Sequence, residues 1–166
     1  MMDQATATTD PNSVHKSVTV DASQEIAFRV FTEKMGAWWP LTTHKIGKVK
    51  AADAVMEPNV GGLWYELGED GTKCPWGRVL VWEPPARLVL SWQTNADWQH
   101  DPTLNTEVEV RFIPDGKGRT RVELQHRNLD RFGAKSAEMR AAFESEEGWS
   151  GLLGMYAKVA NATPPE

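Results

Sequence analysis

From Ile46 to Arg127 the chain is cut into short segments by turn signals: NVGG at 59–62, EDGT at 69–72, EPPA at 83–86 and PDGKGRT at 114–120. Between the cuts the residues run apolar with a period of two or continuously, as strands do. This predicts an antiparallel meander with strands over 46–57, 61–68, 76–83, 87–94, 106–113 and 120–127. One connection is long. The segment TNADWQHDPTLN at 94–105 carries Trp98 and His100 and has the length to fold over something.

The flanks read differently. KSVTV at 16–20 alternates and fits a first strand. In DASQEIAFRVFTEKMG, Asp21 or Ser23 can cap a helix whose residues Ile26, Ala27, Val30 and Phe31 share a face, and Gly36 ends it. Pro40 forbids a simple continuation, so Trp38 and Trp39 fall on the turn leaving this helix or on a short second one. At the far end SEEGWSGLLGMYAKVAN offers Ser145 as a cap and an apolar stripe of Trp149, Leu152, Leu153, Tyr156 and Val159. Gly148, Gly151 and Gly154 recur along it at about 1 kcal/mol each in helix propensity, so close approach of a strand, a partner or a ligand is one explanation. An α+β class follows: a curved antiparallel sheet wrapped on a long C-terminal helix, with a cavity where the two do not meet.

Composition narrows the function. The 166 residues carry a net charge of -5 and no basic stripe, which argues against a nucleic-acid partner. No run approaches the ~20 apolar residues of a membrane span, and the start lacks the pattern of a secretory signal. A single cysteine, Cys74, suits a reducing cytoplasm. Residues 1–15 read as a flexible tail, 16–160 as one domain and 161–166 as a frayed end. Eight tryptophans against five phenylalanines and two tyrosines is an unusual order; core packing explains any single one of them, and the set together asks for a larger explanation.

The runs AFRVFTEKMGAWWPL, PNVGGLWYEL, GRVLVWEPPARLVLSW and TEVEVRFIPDGKGRTRVELQHRNL, with the Gly148–Trp149 pair before the last helix, together resemble the START-like or SRPBCC superfamily. More narrowly they look like the branch named after the activator of heat-shock protein 90 ATPase. The resemblance covers most of residues 16–160 and implies the helix-grip fold, with a deep pocket between the C-terminal helix and the concave sheet. It implies no particular reaction: members of the superfamily carry lipids, hormones or polyketides, and some catalyse cyclisation or hydrolysis.

Strand alternation assigns faces. Val122, Leu124 and His126 share the inward face of RVELQHR, Val108, Val110 and Phe112 that of TEVEVRF, and Leu88, Leu90 and Trp92 that of ARLVLSWQ. In WGRVLVW both faces are apolar. Either Trp76, Arg78, Leu80 and Trp82 point inward or Val79 and Val81 do; the first choice places Arg78 in an apolar wall with Glu66 as a candidate partner. His126 is the candidate catalytic acid or base, since an inward imidazole titrates near neutral pH. Trp38, Trp39 and His44 are expected at the open end, and Trp64, Tyr65, Trp76, Arg78, Trp92, Trp98, Trp149 and Leu153 as further ligand-binding residues. The histidines lie too far apart for a metal site, no cofactor motif is present, and Cys74 has no base beside it in sequence.

Three readings follow. The first is a binding protein for a small apolar or aromatic molecule. The second is an enzyme using the same pocket, with His126 moving a proton and Arg78 or Tyr65 orienting a carbonyl or anion. The third is a chaperone-linked interaction module. A homodimer is compatible with all three.

Overall fold

A computed structural model describes residues 10–165. Its strands are β1 (Val14–Val20), β2 (Ala51–Met56), β3 (Leu63–Gly68), β4 (Lys73–Glu83), β5 (Arg87–Trp92), β6 (Thr106–Pro114) and β7 (Thr120–Arg127). They form one antiparallel sheet in the order β1-β7-β6-β5-β4-β3-β2, so the chain leaves β1, crosses to the far edge and returns strand by strand. The helices are α1 (Gln24–Glu33), α2 (Met35–Trp38), α3 (Ser136–Glu144) and α4 (Trp149–Ala162), with a 3-10 segment over Leu129–Lys135 before α3. This is the helix-grip architecture.

The core lies on the concave face. Register places Val108 opposite His126, Val110 opposite Leu124 and Phe112 opposite Val122, and all six side chains are buried. Helix α1 is capped by Ser23, whose hydroxyl accepts from Ile26 N at 3.2 Å. It meets α4 where Tyr156 donates its hydroxyl to Ala27 O at 2.8 Å and packs edge-on against Phe31. Asn161 of α4 in turn accepts from Asp21 N at 2.7 Å, so both ends of the β1–α1 connection are held.

Several boundaries differ from expectation. The first strand starts at Val14, two residues early, because Val14 is fully buried against β7. Of the expected tail, residues 1–9 lie outside the described residues, and α4 runs on through Asn161 and Ala162. Residues 46–50, expected in a strand, are loop. The largest difference is Ser145: it ends α3 instead of starting α4, and its hydroxyl donates to Ala142 O at 2.7 Å. Gly148 caps α4 without a side-chain bond, and a Cβ there would collide with the carbonyl oxygens of Ala142 and Phe143. Gly151 is crowded in the same way by Glu146 O. These glycines serve the tight reversal from α3 into α4, which sets Trp149 at the head of the last helix.

Strand β4 obeys neither expected face assignment. Two bulges, at its pairing with β3 and again with β5, each shift the phase by one residue. Trp76 and Val79 are therefore both buried, and Trp82 reaches Phe28 at 5.1 Å, whereas Leu80 is exposed. Arg78 points outward. Its guanidinium donates to Gly61 O at 3.0 Å and has no bond to Glu66. Among the described residues, no helix is long and apolar enough to cross a membrane.

Candidate functional site

A cavity of about 560 Å³ opens between the sheet, the α3–α4 reversal and the loop that follows α2. Its inner walls are four indoles, Trp39, Trp76, Trp92 and Trp149, joined by Phe143 and Leu152. Thr43, His44, Lys45 and Glu147 supply polar groups, and Trp98 comes from the β5–β6 loop.

Each indole is fixed from behind. Trp39 ends α2, where Pro40 stops the helix; its ring lies 4.9 Å from that of Trp76 at a 35° tilt, and its N–H donates to His44 O at 2.8 Å. Trp76 donates to Glu66 Oε1 at 3.1 Å, and Trp92 donates to Thr94 O at 3.0 Å. Trp149 donates to His126 Nδ1 at 3.1 Å. Edge-to-face contacts link the rings into one aromatic shell, with Trp92 5.8 Å from Trp149 and 5.3 Å from Phe143.

Two polar residues organise the walls. Glu66 is 1% exposed, and its carboxylate accepts from Ile46 N at 2.6 Å, Gly47 N at 2.8 Å and the Trp76 indole. One buried anion thus ties the loop after α2 to the sheet and sets the angle of a wall ring. Its oxygens are satisfied by three N–H donors, which is what permits its burial. Alternation alone offers Glu66 as a candidate partner for Arg78 only if Arg78 points inward, and it points outward. The available signal was that Glu66 stands two residues from Trp64 and so shares its inward face. The second organiser is His44, whose Nε2 donates to Glu147 O at 2.7 Å while Nδ1 accepts from the Thr43 hydroxyl at 2.8 Å. Residues 103 positions apart are clasped there.

His126 faces inward as its alternation predicts, but it stands behind the wall. It is fully buried by Phe143, Trp92 and Trp149, with ring centroids 4.3, 5.2 and 6.0 Å away. Because an indole can only donate, Nδ1 is the acceptor and Nε2 carries the proton, which it gives to Thr106 Oγ1 at 2.9 Å; that hydroxyl then donates to Trp92 O at 3.0 Å. Burial lowers the imidazole pKa from 6.5 to about 3, so the ring is neutral.

Of the residues singled out from sequence, Trp39, His44, Trp76, Trp92, Trp98 and Trp149 line the cavity. Trp38 and Trp64 lie deeper in the core, donating to Val30 O and Met35 Sδ, and Leu153 is buried in the same core while Leu152 takes the lining position. Tyr65 faces away from Trp64, under the Lys73 ammonium at 5.1 Å. Neither Tyr65 nor Arg78 reaches the cavity, so neither can orient a guest there. Cys74 is half-buried, and burial followed by the Glu66 charge pushes its thiol pKa up, which suppresses the thiolate. Among the described residues no three His, Cys, Asp or Glu side chains converge as a metal site would require.

The family model described as Activator of Hsp90 ATPase homolog 1-like protein matches residues 21–159. No curated protein sequence matches the chain significantly. Among solved structures, the anthrahydroquino-γ-pyrone synthase Txn09 complexed with SUM is 40% identical, over 90% of this chain and 99% of that one, with a TM-score of 0.63. CalC, a self-sacrificing resistance protein from Micromonospora echinospora, is 33% identical over 91% of this chain and 95% of its own, with a TM-score of 0.69. A protein from Arthrobacter aurescens shares the fold at 20% identity, over 93% of this chain and 89% of that one, with a TM-score of 0.62.

Proposed function

The chain belongs to the family of activator of Hsp90 ATPase homolog 1-like proteins, and from that premise we propose that it takes a small apolar or aromatic molecule into the cavity walled by Trp39, Trp76, Trp92 and Trp149. The observation that carries this reading is the cavity itself. Its volume of about 560 Å³ is ample for a drug-sized guest, and its inner walls are ring surface backed by satisfied donors. The similarity to a synthase named for an anthrahydroquino-γ-pyrone supports an aromatic guest. The adaptor reading has less support, because Trp98 is the only exposed aromatic among the described residues.

The 40% identity with a synthase favours a second reading, in which the guest is also transformed. His126 is a poor candidate for that chemistry, since both nitrogens are engaged and its neutral form is locked in. His44 is the better candidate, standing in the cavity lining with a ring that can exchange protons with a guest if its clasp on Glu147 opens.

Native mass spectrometry of the purified protein tests for a retained guest, and tryptophan-fluorescence titration with planar aromatic amides tests the cavity directly. Ala142 lines the cavity from α3, so Ala142→Trp fills it. Binding to the native protein and its loss in A142W, with unchanged circular dichroism, is the expected result. Equal binding by both proteins removes the case for this cavity.

A further inference from the structure

Trp98 departs from every other tryptophan of the chain. Its backbone lies at φ +58, in the left-handed region that a bulky side chain adopts only when its surroundings impose it. The loop does impose it. Asn95 Oδ1 accepts from Asp97 N and Gln99 N at 3.0 Å each, Trp98 N donates to Asn95 O at 2.9 Å, and Asn95 N donates to Gln99 O at 2.8 Å. At the foot of the loop Thr94 pairs with His100.

The ring held this way lines the cavity, yet it is 47% exposed and touches no other ring among the described residues. Its indole N–H is also without an acceptor there; that of Trp82 is too, but the Trp82 ring is half-buried and packs on Phe28, and the six indoles of Trp38, Trp39, Trp64, Trp76, Trp92 and Trp149 all have an acceptor. A ring needed for packing would be buried. An indifferent surface ring would not stand on an unfavourable backbone braced by four hydrogen bonds.

Resting on the cavity reading above, we propose that Trp98 is a fixed stacking shelf at the mouth. It selects a planar guest long enough to reach from the inner indoles past the opening, and its free N–H favours a hydrogen-bond acceptor at the guest's outer end. Trp98 is thereby a determinant of specificity, setting the length of molecule that gains from binding.

The test compares naphthalene-2-carboxamide with anthracene-2-carboxamide, titrated into the native protein, Trp98→Gly and Trp98→Phe, with a melting curve for each. The third ring is expected to raise native affinity about tenfold, the order of one added stacked ring. In W98G that gain should shrink below about threefold while the melting temperature stays within about 2 °C of native or rises, because glycine accepts the left-handed backbone freely. W98F, which keeps a ring face without the N–H, should retain most of the third-ring gain but lose the native preference for anthracene-2-carboxamide over 2-methylanthracene. A third-ring gain undiminished in W98G overturns the proposal. So does a fall in melting temperature beyond that margin, which would make the ring a structural element. If the native protein binds neither amide, the cavity reading fails and takes this one with it; if both bind and the gain survives in W98G, only the role of Trp98 fails.

Discussion

The His126 imidazole is held between an indole donor and a threonine hydroxyl, and this arrangement is satisfied only by the neutral ring. Protonating Nδ1 would set a second donor against the Trp149 N–H in a site closed off by rings. The folded-state pKa is lowered to about 3 from 6.5, so the unfolded chain takes up a proton that the native state refuses. Stability from this source is complete above pH 6.5 and declines as pH falls from there toward 3, with a limiting slope of ~1.4 kcal/mol per pH unit. Urea titrations between pH 7 and 5, above the range where carboxylates protonate, should show the decline. His126→Ala should remove the slope and cost about 3 kcal/mol at pH 7, since it leaves a cavity and an unpaired indole N–H. A variant with native stability and native slope would mean that the ring is not the buried neutral link described. The inward face of His126 was legible in the alternation of β7. Its confinement was not, because Trp149 and Thr106 come from elements 23 and 20 residues away whose side-chain directions no local pattern encodes.

Among the elements, β4 and α4 show what local pattern can and cannot reveal. Alternation in WGRVLVW was ambiguous because the strand changes phase twice, and a bulge is set by its neighbours' registers more than by its own residues. The first bulge brings Gly77 so close to β5 that a Cβ would meet Ser91 O. Gly77→Ala should therefore destabilise by about 2 kcal/mol or more and disturb the seating of Trp76, read by denaturant melts and by near-UV dichroism. Gly154 is the opposite case. It lies mid-helix on the exposed face of α4, and a methyl group added there would find nothing within 4 Å, so Gly154→Ala should stabilise by about 0.5–1 kcal/mol. Both glycines look alike in sequence. Only the distance to the next backbone separates a glycine that is required from one that is merely tolerated, and a destabilised G154A would show that something packs there.

At the scale of the whole molecule, the meander and its closing helix were legible because turn residues mark strand ends and an apolar stripe marks a helix, both local signals. The cavity was legible only as a consequence of curvature. Its walls come from α2, β4, β5, α3 and α4, and its closure depends on the reach of His44 across to Glu147. Such a vessel gains stability from its contents. At a guest concentration a hundredfold above its dissociation constant, the native fold should be stabilised by about 2.7 kcal/mol, seen as a rise of several degrees in melting temperature that is absent in A142W. No rise at saturation would mean that the guest does not favour the native fold over the unfolded chain, and an equal rise in A142W would mean that it binds elsewhere. The wall indoles have their N–H groups taken up by the protein's own acceptors. From these four rings an incomer therefore meets only π-clouds and ring edges. They sort visitors by silhouette and thickness and give little heed to chemical decoration, which is the character of a mould more than of a lock.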